Sequence, residues 1–535
     1  MRILQYAWPL PPNIPTVTWD GAVLNIILTG QNALPIRLPH PSTMSSPHQI
    51  DLLAQEAAVD FRSKEFAALL DSRDELAHLR HEFCIPRRGE VLGEGAQLRG
   101  DADEPCIYMC ANSLGLMPKR TRRLIMEELD IWAKKGVEGH WNHDYKRPWV
   151  NINETVVDVS ADLVGAHPSE VAIMNTLTGN LHTLMASFYV PTSERYKIIC
   201  EAKAFSSDHV GGVFFFRFLC YLTTHSQPSR LMFTLFDLRP RTFLSQYAFE
   251  SQIKWHGYKP ADALVLVSPR EGEKHLRTDD ILEVIRREGS NTALVIFSGV
   301  QFYTGQWFEM ETITKAGHKQ GCMVGWDLAH AVGNVPIRLH DWDVDFACWC
   351  SYKYLNAGPG GIAGIFVHER HATDYERPRF AGWWGNDKNT RFQMNKEFQP
   401  SAGADGYMLS NPSVLNTVSL LGSLEIFAQA TMPRLRAKSL LLTGYLERLL
   451  DAEFPHAPFR IITPRDPAQR GAQLSLIFAE DKMVTVFTGL HSESIICDER
   501  KPDCIRISPS PLYNSFEDVR RCVEVLKEVI DRVYL

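Results

Sequence analysis

Two short apolar runs organise this chain: Val324-Gly-Trp-Asp-Leu-Ala-His330 and Phe346-Ala-Cys-Trp-Cys-Ser-Tyr-Lys-Tyr354. Each run has the length and the aromatic or β-branched content of a buried strand. The first run predicts a strand that ends at Asp327, and the second predicts one that ends at Lys353. Because ligands in open α/β sheets bind at the carboxyl ends of the strands, we expect these two side chains to share a site.

An acid and an amine at two strand ends indicate pyridoxal phosphate. This aldehyde needs one amine to hold it covalently and one carboxylate to keep its pyridine nitrogen protonated, so that the ring accepts electrons. Lys353 could supply the amine, and burial would favour the neutral form that a base requires. Asp327 could supply the carboxylate. The alternatives are a surface lysine and an Asp that caps the next helix.

Composition favours an enzyme that acts on a small molecule. A chain of 535 residues is too long for one simple core, so two or more domains are expected. A net charge of -7 gives no electrostatic reason to expect nucleic acid or an anionic membrane as a partner. The eleven cysteines lack CxxC spacing, which favours reduced thiols in the cytoplasm, without disulfides and without a zinc site.

From Tyr108 onward, short apolar runs alternate with amphipathic segments, which predicts an α/β fold with a mostly parallel sheet and flanking helices. Strands are predicted at 172–174, 197–201, 263–268, 292–298, 321–326, 346–351 and 361–367. Helices are predicted at 120–135, 179–188, 278–288 and 313–320. Ser298 and Glu201 also fall at predicted strand ends.

The pattern divides the chain into a large domain over 105–410 and a smaller α+β domain over 411–535. The smaller domain has a long helical stretch over 412–450, three short strands and a final helix over 516–533. A helical segment over 44–104, periodic from 49 to 81, is expected to pack on it, because its apolar face needs a partner. Residues 1–43 show no signal-peptide pattern. We hypothesise that they are extraneous and that Met44 is the native start.

An ordered set of motifs resembles those of the kynureninase family. The motifs are Asn112-Ser-Leu-Gly-Leu, Asn175-Thr-Leu-Thr-Gly-Asn-Leu-His182, Glu201-Ala-Lys-Ala-Phe-Ser-Ser-Asp-His209, Ser298-Gly-Val-Gln-Phe-Tyr-Thr-Gly-Gln306, Asp327-Leu-Ala-His-Ala-Val-Gly-Asn334 and Ser351-Tyr-Lys-Tyr-Leu-Asn-Ala-Gly358. The resemblance implies a fold-type-I pyridoxal phosphate enzyme with a seven-stranded sheet, which works as a homodimer with shared active sites. It also implies hydrolysis of L-kynurenine or 3-hydroxy-L-kynurenine to an anthranilate and L-alanine, in tryptophan catabolism and NAD biosynthesis.

One segment departs from the family pattern, in which His209 would be followed directly by Tyr247. Residues 210–246 therefore look inserted, and we hypothesise a retained intron that is translated in frame. A surface loop particular to this enzyme is the alternative, because long loops cost little entropy. The insert would emerge beside the cofactor, and a chain silenced by it would be a scaffold or a binding protein.

The resemblance assigns further residues to the cofactor. It gives the cofactor contacts as Leu177, Thr178, Phe205, Ser206, Ser207, Asp208, Ser298, Asp327, His330, Tyr352, Lys353, Trp383 and Asn411. Leu177 and Thr178 precede a predicted helix, whose first N–H groups suit a phosphate. Phe205 would stack on the ring. The last two contacts would come from the second subunit, with Trp384 as an alternative to Trp383.

Simpler roles remain open for several of these residues. Helix capping could explain Thr178 and Ser207, and core packing could explain Phe205 and either tryptophan. A hydrogen-bonded core histidine is the alternative for His330.

Three residues are assigned to the substrate by the resemblance. Arg506 would bind the α-carboxylate through its two-pronged guanidinium, with a surface ion pair as the alternative. Ser113 and His140 would lie near the aromatic ring of the substrate, with His143 as a rival for His140. Lys353, Tyr352 and Asp327 are the predicted catalytic residues.

Two other enzymes of the same fold are the nearest alternatives, a cysteine desulfurase and an aminotransferase. A desulfurase needs a reactive cysteine on a mobile loop, whereas Cys348 and Cys350 fall in a predicted strand.

Overall fold

The computed structural model describes residues 48–93, 100–202, 245–393 and 396–534. Three predicted features lie outside the described residues: the extension over 1–43, almost all of the proposed insert, and the cofactor contacts Phe205, Ser206, Ser207 and Asp208.

The strands fall into three sheets. Numbered in chain order, they are β1 Ile107–Tyr108, β2 Val171–Met174, β3 Lys197–Glu201, β4 Leu264–Val267, β5 Thr292–Ser298, β6 Met323–Asp327, β7 Phe346–Trp349, β8 Ala363–Val367, β9 Phe459–Ile461, β10 Leu474–Phe478, β11 Ile495–Ile496, β12 Asp498–Arg500 and β13 Cys504–Ile507. The large sheet has seven strands in the order β2-β8-β7-β6-β5-β3-β4. Only the pairings of β8 with β2 and β7 are antiparallel. The predicted mostly parallel seven-stranded sheet is confirmed.

Helices cover both faces of the large sheet, which is why its strands are apolar almost throughout. Ile199 and Val295 face a core that includes Ile281 and Ile313 from two helices on one side. Ile198 and Leu294 face the opposite core. The α-helices of the described residues are Gln49–Ala57, Lys64–Ser72, Arg88–Leu92, Lys119–Lys135, Glu154–Val164, Leu177–Phe188, Ser245–Trp255, Pro260–Ala263, Thr278–Glu288, Met310–Lys319, Val414–Ala430, Met432–Glu453, Glu480–Ser492 and Phe516–Tyr534.

A second, antiparallel sheet has the order β12-β13-β10-β9. Its core also receives Ile50 and Phe66 from the two N-terminal helices, and Phe66 lies 5.9 Å, centre to centre, from the ring of Tyr445.

The single helix predicted from 49 to 81 is wrong. Two α-helices and the start of a short 3-10 helix, Ala77–Glu82, occupy this stretch. A turn follows the first α-helix, and Ser63 caps the second, since its side chain accepts a hydrogen bond from the Phe66 N–H. The helical stretch predicted over 412–450 is also broken, at Thr431, which has a φ of 60°.

The strand that leads to Lys353 is shorter than predicted. It ends at Trp349, so Lys353 lies in the turn that follows β7, whereas Asp327 is the last residue of β6. In the described part of the chain, no helix is both long and apolar enough to cross a membrane.

Candidate active site

Asp327 stands at the carboxyl end of β6 with its side chain only partly exposed. Burial raises the pKa of this carboxyl, while the Ala329 N–H, 2.9 Å from Oδ1, and the nearby Lys353 amine oppose the rise. A carboxyl that is largely removed from water ionises most readily beside a cation. A protonated pyridine nitrogen is a cation of that kind.

Lys353 is buried, with 4% of its surface exposed. Burial lowers the pKa of its amine, and Cys350 and Asp327 oppose this effect. Each of the two predicted partners therefore shifts the pKa of the other, so the structure brings them together. The fully solvated surface lysine considered as an alternative is excluded by this burial.

The turn that carries Lys353 is fixed by a close approach of another segment. The Gly115 N–H donates to the Tyr352 carbonyl at 2.8 Å, and the Asn356 N–H donates to the Lys353 carbonyl at 3.0 Å. A Cβ at Gly115 would overlap the Lys353 carbonyl oxygen and Asn356 Oδ1. Only glycine allows this approach.

His330 is buried beside the same turn, and its ring lies 6.3 Å from the ring of Tyr354. Burial, followed by the charges of Lys353 and Arg506, lowers its pKa well below the usual value, so the imidazole is neutral. Its Nδ1 has no hydrogen-bond partner among the described residues. A buried ring nitrogen without a partner is costly unless a ligand contacts it. With the Asp327 and Lys353 pair, it fits a heteroaromatic cofactor.

Ser298 and Asp327 are paired in register at the ends of β5 and β6. The Ser298 hydroxyl donates to Oε1 of Glu201, at the end of β3, and the Ser298 N–H lies 3.3 Å from both carboxyl oxygens. Burial raises the pKa of Glu201 to about 7. Sequence reasoning placed Glu201 at a strand end but gave it no role.

The predicted phosphate contacts lie at a helix start. The helix Leu177–Phe188 begins at Leu177, and Thr178 is exposed in its first turn. The first N–H groups of a helix have no partner within it and favour an anion.

Arg506 is completely buried in β13. Its guanidinium donates to Asp498 Oδ2 at 2.5 Å and to the Phe302 carbonyl at 2.6 Å, while Nε has no partner among the described residues. The proposed surface ion pair is therefore wrong, because the pair is buried. Sequence reasoning missed Asp498. The available signal was a turn at Pro502 and Asp503, which lies between Asp498 and Arg506. The strands on either side of it, β12 and β13, pair these two residues in register.

The rival residues differ in burial, both His140 from His143 and Trp383 from Trp384. His143 is buried and lies 2.8 Å from Glu128, which gives it a structural role, whereas His140 is half-buried between the rings of Trp141 and Trp149. Trp384 is 4% exposed, and the Arg391 guanidinium covers its ring. Trp383 is 50% exposed and Asn411 is also exposed, so both predicted contacts to a second subunit lie at the surface of this chain.

The comparisons with known proteins agree on one family. Residues 435–526 match the family model described as the kynureninase C-terminal domain. The chain is 48% identical to a kynureninase from Monosiga brevicollis, over 90% of this chain and 98% of that protein. It is 46% identical to a kynureninase from Mus musculus, over 92% of this chain and 98% of that protein. The chain belongs to the kynureninase family.

Solved structures show the same architecture in more distant proteins. The cysteine desulfurase CsdA from Escherichia coli has a TM-score of 0.60 at 15% identity, over 86% of this chain and 98% of that one. A cysteine desulfurase from Thermococcus onnurineus has a TM-score of 0.58 at 16% identity, over 80% of this chain and 95% of that one. These likenesses show the fold alone.

Family membership supports the predicted enzyme class and cofactor, a pyridoxal-phosphate-dependent kynureninase that acts on a small molecule. The desulfurase and aminotransferase alternatives are not favoured. The described Cys348 and Cys350 are buried, and burial raises the pKa of both thiols, which makes neither a reactive nucleophile.

The contact at Gly115 predicts a stability effect that reaches the site. Gly115→Ala should lower the free energy of unfolding by about 1–3 kcal/mol and reduce bound cofactor, because the added methyl group displaces the Lys353 turn. Denaturant unfolding of the cofactor-free protein and the cofactor content after purification would measure the two effects. Gly179→Ala is the control for stability alone, since its Cβ meets nothing closer than 3.4 Å in a helix, but its place in the helix start proposed for the phosphate excludes it as a control for cofactor content. Wild-type stability and cofactor content in Gly115→Ala would contradict this account of the turn.

Proposed function

We propose that this chain hydrolyses L-kynurenine and 3-hydroxy-L-kynurenine to anthranilate or 3-hydroxyanthranilate and L-alanine, at a site built around Lys353. The observation that carries the proposal is the buried amine of Lys353 within electrostatic reach of Asp327, in a chain of this family. The net reaction adds water across the Cβ–Cγ bond of the substrate.

Pyridoxal phosphate, when bound, supplies an electron sink that stabilises negative charge at the carbon atoms of the substrate amino acid. Lys353 would hold the cofactor through its amine. Once displaced by the substrate amine, its neutral form can take the proton from the substrate Cα, since burial has lowered its pKa. Asp327 would keep the ring nitrogen protonated.

The remaining cofactor contacts would orient the ring and phosphate. The helix start at Leu177 and Thr178 suits the phosphate. Ser298 is paired in register with Asp327. The neutral His330 ring is close enough to Lys353 for the amine to lower its pKa. Burial raises the pKa of the Tyr352 phenol, so Tyr352 stays protonated and can donate a hydrogen bond or a proton. Stacking by Phe205 and binding by Ser206, Ser207 and Asp208 stay predictions.

Substrate binding would depend on a fixed cation. Arg506 is held by Asp498 and Phe302, and this support limits the guanidinium to one orientation. Its charge lowers the pKa of both Lys353 and His330, which supports a position near them. Ser113 and His140 are proposed to contact the aromatic end of the substrate.

We also propose a homodimer in which Trp383 and Asn411 complete the partner's site. Several large apolar side chains are exposed, and such surfaces mark protein contacts. They include Trp132 at 64%, Trp141 at 60%, Trp383 at 50% and Phe392 at 56%. The rings of Trp383 and Phe392 lie 6.1 Å apart, so these two form one patch.

The domain boundaries and location are proposals as well. We propose a large domain over 105–410, interrupted by an insert at 210–246, and a small domain over 411–535 that packs on the segment 44–104. The ten cysteines that the structure describes are free thiols, which supports a cytoplasmic location.

Replacing the proposed cofactor lysine should abolish activity. Lys353→Ala is expected to release anthranilate from L-kynurenine at a rate below detection, because both the covalent anchor and the base are lost. Fluorescence of anthranilate would measure the rate. Lys315→Ala, at an exposed lysine paired with Glu311, is the control and should keep wild-type turnover. Activity that survives in Lys353→Ala would refute the proposal.

A shared site predicts complementation between two inactive subunits. Lys353→Ala and Trp383→Ala chains, co-expressed with different tags, should regain part of the activity, because one of the two sites in each heterodimer is intact. Lys353→Ala with Asp327→Asn is the control and should stay inactive, since every site then carries a lesion. No rescue in the first pair, or a monomeric mass by light scattering, would argue against the shared dimer.

A further inference from the structure

Glu201 is a buried acid bonded to Ser298, and no step proposed above uses it. It ends β3 and is 2% exposed. In the sheet, β5 lies between β3 and β6, so Ser298 lies between Glu201 and Asp327.

The Glu201 carboxyl is directed at one residue. It accepts both the hydroxyl and the backbone N–H of Ser298. On its other side β4 contributes the apolar Val267, which is paired with Glu201 in register. Among the described residues, Asp327 on β6 is a charged group that acts on it across β5.

We propose that Glu201 is a positioning residue that sets the direction of the Ser298 O–H bond, and thereby decides whether that hydroxyl offers the cofactor a lone pair or a proton. An ionised carboxylate can only accept, so it holds the Ser298 hydrogen and leaves the oxygen lone pairs toward the site. A protonated Glu201 can donate to Ser298 Oγ, which frees the serine hydrogen for the site. This inference rests on the proposed function, in which Ser298 contacts the cofactor.

Both forms of Glu201 are accessible near neutral pH. Burial raises the pKa of Glu201, the hydrogen bonds from Ser298 lower it, and the charge of Asp327 raises it again. Together these effects place the pKa at about 7. Below this pH the neutral form prevails, and above it the ionised form does. Cofactor affinity should therefore change across this pH range, because Glu201, a residue of the sheet, gains or loses its proton there.

A purely structural role, fastening β3 to β5, is the competing explanation. Glu170 provides a matched control, because it is also fully buried but stands at the opposite end of the sheet, before β2. It accepts the N–H groups of His167 and Glu369, both at 2.8 Å, and lies 3.0 Å from His340.

The test is the dissociation constant of pyridoxal phosphate, measured by absorbance titration of the cofactor-free full chain at a series of pH values. The wild type should show an inflection near the Glu201 pKa of about 7. Glu201→Gln should lose this inflection, and Glu170→Gln should keep it. Glu201→Ala and Ser298→Ala should each weaken binding about tenfold, and the double variant should bind no more weakly than the weaker single one.

An unchanged inflection in Glu201→Gln, its loss in Glu170→Gln, or costs that multiply in the double variant would overturn the role of Glu201 while leaving the proposed function intact. A wild type that binds no pyridoxal phosphate would overturn both. Circular dichroism of the cofactor-free variants checks folding, and Glu201→Gln, nearly the same shape as the wild type, carries the test if an alanine variant unfolds.

Discussion

The proposed site depends on an acid and an amine that lie close together and largely away from water, Asp327 and Lys353. Removing either charge from water is costly, and a buried ion pair seldom repays that cost in stability. Burial accordingly moves both pKa values toward the neutral forms, even though each group favours the charged form of the other. The pair is therefore better explained as a site that receives a cationic ring than as a contribution to folding.

The parallel sheet makes this arrangement possible. Its central strands end along one edge, so residues distant in sequence, such as Glu201, Ser298 and Asp327, form one cluster. Helices on both faces keep water away from the strands. Gly115 then holds the Lys353 turn in place from another part of the chain.

Much of this could be predicted from the sequence, because it is local or carried by motifs. Apolar runs located the seven strands of the large sheet, and the acid at the end of one and the lysine after another indicated the cofactor. The break between the first two helices was missed, because a Ser63 cap competes with helical periodicity. The end of β7 was also misplaced, since an apolar run does not show where pairing stops.

Interactions between distant residues could not be predicted. The support of Arg506 by Asp498 depends on the register of β12 and β13, and the bond from Ser298 to Glu201 depends on the order of three strands. Likewise, the difference in burial between Trp383 and Trp384, and between His140 and His143, does not follow from the sequence.

The most direct measurement is the identity of the lysine that carries the cofactor. The protein would be incubated with pyridoxal phosphate, reduced with borohydride to fix the covalent bond, digested and mapped by mass spectrometry. The account predicts the label on the peptide that contains Lys353. A label on another lysine, such as the buried Lys438 that pairs with Asp74, with Lys353 unmodified, would contradict it.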